Sequence, residues 1–182
     1  ILGKKFPVAE IEEICVANTT MPYEAYQECR KFDLTVEIFN NDSILADLMG
    51  FLRRYNIKRS DFIKEVHELS INDPVFSKFY EEFNAEEKKN LSSEPKKLEK
   101  FTREPGVIKK YIDGEFGTNE LYKFRALAVF FNIKDLHKIA YKAAKFLLQK
   151  GNTLEENMNN YLDELYEFSV LRKSDCLNTS SV

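Results

Sequence analysis

The sequence predicts an all-α protein, a multi-helix bundle of about eight or nine helices around a central buried helix, with a short extended N-terminal arm. Apolar residues recur at steps of three and four along most of the 182-residue chain, which is the spacing of one helix face. Four of the five prolines stand where a first helical turn is expected, because proline loses no hydrogen bond there. The third observation is a helix near the middle of the chain that is apolar on nearly all sides.

That central helix follows a turn that contains Gly114 and Gly117. One side is covered by Leu121, Phe124, Leu127, Ala128 and Phe131, and most of the other side by Tyr122, Ala126, Val129 and Phe130. A helix that is apolar all round is expected in a protein interior. We therefore expect residues 119–131 to be enclosed by neighbouring helices, with the rest of the chain built around them.

The first half of the chain divides into an arm and four helices. Residues 1–18 mix isoleucine and valine with glutamate, and they predict an extended arm or the strand remnant of a preceding domain. Residues 19–91 form the predicted N-terminal helical half. Gly50 lies inside the second of its helices, and we interpret it as a point of close packing because glycine is otherwise unfavourable there.

A charged segment separates this half from the next. Residues 92–104 contain four basic and three acidic side chains, a mixture that is typical of a solvated face. Residues 92–172 form the predicted C-terminal helical half, in which Thr153 and Glu156 indicate a capping box that opens the last helix. Residues 173–182 are predicted to be a disordered tail, because they are polar and terminal.

Composition and charge argue against several classes of function. The chain has 27 basic and 30 acidic residues and a net charge of −3, so we expect no nucleic-acid partner, which would require a basic face. The longest apolar run, residues 126–131, is far shorter than the roughly 20 residues of a membrane span. Cys15, Cys29 and Cys176 fit neither a disulfide framework nor a metal cluster, so we expect reduced thiols and a cytoplasmic location.

Arg125 is the residue that the pattern singles out. It projects between Leu121 and Val129 on a helix that we expect to be enclosed, where an unpaired charge is very unfavourable. We predict an internal ion pair with Asp113, with Glu115 or with an acid on a neighbouring helix, acting as a structural lock. Solvent exposure of Arg125 and ligand binding by it are the two alternatives.

No motif in the sequence identifies an enzyme. The chain has neither a Gly-x-Ser-x-Gly elbow nor a phosphate-binding loop, and its carboxylates lie beside helix stripes where solvent is expected. We therefore predict no catalytic, cofactor-binding or metal-binding residue. One alternative from the enzyme class stays open, a helical bundle with a small-molecule or metal pocket that uses His67 or His137.

Two groups of motifs resemble a known family. The first comprises residues 12–16 (EEICV), 20–23 (TMPY), 29–32 (CRKF) and 37–42 (EIFNND), and the second is residues 114–128 (GEFGTNELYKFRALA). In this order, over about residues 10 to 170, they resemble the helical region that follows the catalytic barrel in some radical S-adenosylmethionine proteins with a cobalamin-binding domain.

The resemblance implies a noncatalytic C-terminal accessory domain that packs on the catalytic barrel or covers its open end. The family uses an iron–sulfur cluster, S-adenosylmethionine and cobalamin in other domains, and the Cys-x-x-x-Cys-x-x-Cys motif for the cluster is not in this sequence. We therefore expect no cofactor in this chain, and the expected partner is the remainder of a longer polypeptide. The alternative is a free-standing helical module that binds a partner protein through an exposed apolar face.

Overall fold

A computed structural model describes residues 3–4, 8–9 and 11–175, and most of this part of the chain is helical. Its helices are, in order, α1 (Tyr23–Phe39), α2 (Ala46–Arg54), α3 (Arg59–Ile71), α4 (Pro74–Asn90), α5 (Pro95–Thr102), α6 (Val107–Ile112), α7 (Glu120–Phe131), α8 (Ile133–Lys150) and α9 (Glu156–Asp175). None of the residues in these described ranges belongs to a β-strand. The predicted all-α, multi-helix class is confirmed.

The N-terminal arm lies against the helices. Residues 11–18 have no regular secondary structure, and Ile11 and Val16 border a depression together with Leu91 at the end of α4. The other positions of the predicted arm are described only at 3–4 and 8–9, and the remainder lie outside the described residues. The apolar residues of the arm are only partly covered there, because Val8, Ile11 and Ile14 keep 81%, 38% and 54% of their surface exposed.

Prolines and side-chain caps set several helix ends. Asp73 accepts hydrogen bonds from two backbone N–H groups in the first turn of α4, at 2.9 and 3.2 Å, and Pro74 is the first helical residue. Pro95 has the same place in α5. The capping box predicted at Thr153 is wrong. The Thr153 N–H, which the Glu156 side chain would have to bind, donates instead to the Leu148 carbonyl at 3.0 Å, and the Thr153 hydroxyl donates to the same carbonyl at the end of α8.

The core is built around α8, which has the most buried residues of the helices whose burial is fully described. They are Ile133, Leu136, His137, Ile139, Ala140, Tyr141, Ala143, Ala144 and Leu148. α3 packs on one side of α8 and α9 on another. The small side chains of its alanines allow these neighbours to approach closely, as dense packing requires. Phenylalanines from α1, α3 and α4 complete the core, namely Phe39, Phe62, Phe76 and Phe83.

The prediction that α7 is the central, enclosed helix is wrong. Only Phe124 and Ala128 of this helix are buried. Tyr122, Phe130 and Phe131 keep 58%, 57% and 77% of their surface exposed. α7 packs on α1, α4 and α8. These helices cover one of its faces and leave the other open to solvent.

The glycines have two different environments. Gly114 and Gly117 have φ values of +78° and +68°, which is the left-handed conformation that glycine tolerates, so the turn before α7 has the geometry expected of a tight turn. A Cβ on Gly117 would lie 2.8 Å from the ring of Tyr111. Gly50 has open space around it, so the prediction that it marks close packing is wrong.

Both predicted halves contribute to one core. α1, from residues 19–91, packs on α7, and α3 packs on α8, from residues 92–172. In the boundary segment α5 packs on α6. α9 continues to Asp175, so the first residues of the predicted tail are helical, and residues 176–182 lie outside the described residues. Among the described helices none has the length and apolar character needed to cross a membrane.

Candidate functional site

Arg125 lies on the flank of α7, at the edge of a cleft. Its Nη1 donates to Glu37 Oε1 at 2.5 Å and lies 2.7 Å from Asp42 Oδ2. The guanidinium also stands over the ring of Tyr122, 5.2 Å from its centroid, which adds a cation–π contact. The Arg125 side chain is 26% exposed and that of Glu37 13%, so this ion pair is partly removed from water.

Two asparagines complete the hydrogen bonding around Glu37. Asn41 Nδ2 donates to Glu37 Oε2 at 2.5 Å, and Asn40 Nδ2 donates to Asn41 Oδ1 at 3.0 Å. Asp42 and the next residue, Ser43, have φ values of +52° and +58°, a conformation that is unfavourable for residues with a Cβ. The bond from Arg125 to Asp42 therefore helps to hold the strained loop between α1 and α2.

Asp113 and Glu115, the two partners named from the sequence for Arg125, lie elsewhere. Asp113 Oδ2 accepts from Lys109 Nζ at 2.5 Å, within one helical turn on the surface. Glu115 is exposed in the turn that precedes α7. The acid on a neighbouring helix, which was the third option, is Glu37 of α1. Its position, 88 residues before Arg125, has no signal in the sequence, and the role of the pair as a lock stays a prediction.

The cleft itself has a volume of about 630 Å³ and is lined by charged and amide side chains. Arg53 and Arg59 contribute two more guanidinium groups, and neither has an ion pair within the described part of the chain. Glu37 and Asp42, the carboxylates of the cleft, are both engaged by Arg125. The cleft can therefore orient polar or charged groups by hydrogen bonding, and its own carboxylates serve to fix Arg125.

His67 is half-buried and belongs to a polar cluster with the buried residues Thr35 and Tyr80. Its Nδ1 lies 2.7 Å from Thr35 Oγ1, which also lies 2.7 Å from the hydroxyl of Tyr80. Burial lowers the pKa of His67 and raises the pKa of Tyr80 to about 12, because both environments disfavour charge. The cluster is thus a neutral hydrogen-bonded group that joins α1, α3 and α4.

His137 is fully buried on α8. Its Nδ1–H donates to the Ile133 carbonyl at 2.8 Å, and Nε2 has no hydrogen-bond partner within the described chain. Burial lowers the pKa of this imidazole. No group of three or more histidine, cysteine, aspartate or glutamate side chains among the described residues is placed to hold a metal ion. Within the described part of the chain, neither His67 nor His137 belongs to such a group.

The open face of α7 carries an apolar stripe beside the cleft. Tyr122, Ala126 and Phe130 follow one another at steps of four and so lie on one line of the helix surface. Phe131, at the end of the helix, is the most exposed of its aromatic residues. Tyr122 belongs to both features, because its ring also lines the cleft. We call Tyr122, Ala126 and Phe130 the α7 face, and Phe131 lies at the end of the helix on a different side.

The described cysteines are solvent-accessible thiols. Cys15 in the arm and Cys29 on α1 are both free and exposed, while Cys176 lies outside the described residues. Comparison with protein-family models, with curated proteins and with solved structures found no match.

Proposed function

We propose that this chain is a noncatalytic helical accessory domain that acts by docking its α7 face against another protein surface. The observation that carries the proposal is the exposure of Tyr122 and Phe130 on one line of the α7 surface. Contiguous exposed apolar residues on a water-soluble domain are typical of interaction sites. Aromatic residues and arginine are also enriched where protein interfaces derive most of their binding energy.

Geometry at the edge of the face supports the same proposal. Arg125 is held by Glu37 and Asp42 and in turn contacts the ring of Tyr122. A side chain that is fixed before binding loses less conformational freedom on binding. The polar groups of the cleft therefore order the rim of an apolar docking face, which is an accessory role.

The partner that we propose is the remainder of a longer polypeptide, and the resemblance to radical S-adenosylmethionine proteins suggests its class. In such a protein the α7 face would pack on the catalytic barrel, and the cluster, S-adenosylmethionine and cobalamin would be bound outside this chain. A separate partner protein, bound by a free-standing helical module, is the alternative occupant of the same face.

Hydrogen exchange along α7 tests the docking. We expect amides of residues 122–131 to exchange more slowly in the full product of the reading frame than in this chain alone, because docking excludes water from the open face. Phe130→Asp is expected to remove the slowing. Leu171→Asp, at an equally exposed position on α9, is the control and is expected to retain it. Equal exchange in the two contexts would refute docking within the polypeptide.

The class of the partner has its own test. Iron and sulfide are measured in the full product purified without oxygen, and a radical S-adenosylmethionine parent is expected to contain both. A product without them would refute that class and leave the proposed docking of α7 unaffected.

A further inference from the structure

We propose that a second surface, the groove between α8 and α9, binds an acidic amphipathic helix of a partner protein. This proposal is independent of the α7 face. The groove has a volume of about 640 Å³. Its floor is apolar, formed by Tyr141, Phe146 and Tyr166. Its rim carries Lys138, Lys142 and Lys145 from α8 and one acidic residue, Asp163, from α9.

The floor of the groove is rigid. The hydroxyl of Tyr141 donates to the Leu165 carbonyl at 3.1 Å and lies 2.9 Å from Ser169 Oγ, so α8 and α9 are tied together beneath it. Tyr166 meets Tyr141 edge to face, with ring centroids 5.6 Å apart. Phe146 is 47% exposed and offers its ring to a partner. A preformed apolar floor is suited to receive the apolar side chains of another helix.

The rim is basic along three turns of α8. Lys134, Lys138 and Lys142 follow at steps of four, and Lys145 lies on the same face, over a length of about 16 Å. Lys145 Nζ is bound to Asp163 at 2.6 Å. The other three lysines have no ion pair within the described part of the molecule. Like charges at this spacing repel each other, and carboxylates on a partner would relieve that repulsion.

Shape and charge together define the partner. A third helix laid along α8 and α9 would place apolar residues at i, i+3, i+4 and i+7 over the aromatic floor, with its acidic residues beside the lysines. Complementary charge of this kind selects the partner and its orientation. An anionic lipid surface would satisfy the lysines but is flat, whereas the floor of this groove is concave and apolar.

A designed peptide tests the proposal directly. The probe is an amphipathic helix of about 18 residues, five turns, with leucine on one face and glutamate on the flanks. We expect it to bind with a dissociation constant on the order of 10 μM and to shift amide resonances of residues 138–166. Replacing the glutamates by lysine is expected to abolish binding, and raising the ionic strength from about 0.05 to 0.5 M is expected to weaken it.

Matched variants locate the binding. Lys138→Glu with Lys142→Glu is expected to weaken binding of the acidic peptide at least about tenfold, and Phe146→Ala is expected to weaken it as well. The control is Lys96→Glu with Lys100→Glu on α5, which changes two exposed lysines at the same spacing and is expected to leave affinity unchanged. Circular dichroism establishes that each variant keeps its helices.

Several outcomes would overturn the proposal. One is the absence of binding by the acidic peptide, and another is equal binding of the acidic and lysine peptides. Resonance shifts confined to α7 would assign the peptide to the other face. Retention on phosphatidylserine vesicles, without peptide binding, would identify a lipid surface as the occupant. Self-association that the Phe146→Ala variant abolishes, without peptide binding, would identify a second copy of the chain.

Discussion

The charged guanidinium of Arg125 is partly buried, and neighbouring side chains compensate for the water that it loses. Two carboxylates and one aromatic ring surround the guanidinium, and Glu37 is in turn bound by Asn41. Helical periodicity was sufficient to predict that this arginine needs an acidic partner. It could not identify the partner, because Glu37 lies on another helix and its position depends on how α1 packs on α7.

Replacing Arg125 tests the lock. Arg125→Met keeps the length of the side chain but leaves Glu37 and Asp42 without their cation, so we expect the free energy of unfolding to fall by about 1–2 kcal/mol. The measurement is urea denaturation. Lys109→Met, which removes the cation of the exposed pair with Asp113, is the control and is expected to change stability by less than about 0.5 kcal/mol. Equal effects of the two substitutions would exclude a lock.

Because His137 is buried, we expect the free energy of unfolding to depend on pH below pH 7. Burial holds its pKa below the ordinary value of 6.5, so the unfolded chain binds a proton that the folded chain does not. The resulting stability is present above about pH 6.5 and is lost as the pH falls toward the folded pKa.

The variant that tests this is His137→Leu, which removes both the titration and the unpaired Nε2. We expect the fall in the free energy of unfolding between pH 7.0 and pH 5.5 to be smaller in the variant, and its stability at pH 5.5 to be higher by up to about 1 kcal/mol. Urea denaturation at the two pH values measures both. An unchanged pH dependence would show that His137 does not titrate on unfolding.

α7 and α8 show that the apolar face of a helix is easier to predict from the sequence than the position of that helix in the fold. The apolar residues of α7 surround the helix, which favours an interior position, yet the helices that contact it cover only one side. α8 carries lysines along a narrow face, but α3 and α9 cover much of the rest. Periodicity shows which faces of a helix are apolar. The number of neighbours depends on the packing of the whole chain, which no local pattern contains.

In the turn before α7, the cost of a Cβ at positive φ can be separated from the cost of a Cβ that contacts a neighbouring side chain. Gly114→Ala introduces a Cβ at positive φ in open space, whereas Gly117→Ala introduces one that would meet Tyr111. We expect Gly114→Ala to lower the free energy of unfolding by about 1 kcal/mol, and Gly117→Ala to lower it by roughly 1 kcal/mol more, because the ring has to move. Thermal denaturation of the two variants compares them. Identical losses would mean that Tyr111 gives way without cost.

For the whole molecule, the sequence was sufficient to predict the fold class but not which helices pack against each other. Proline positions and apolar periodicity were sufficient to predict most helices. They did not predict that α1 packs on α7 and α3 on α8, which makes one core from both halves. Pairings between distant helices leave no mark on the spacing of residues within either helix.

This interleaved core bears on synthesis of the protein. α7 leaves the ribosome about 80 residues after α1, a delay of roughly 4 to 16 s at usual rates of translation. Throughout that interval α1, whose Leu34, Ile38 and Phe39 are buried in the finished fold, lacks α7, one of the three helices that pack on it. The nascent chain therefore exposes apolar side chains of α1, to which a chaperone can bind until α7 and α8 emerge.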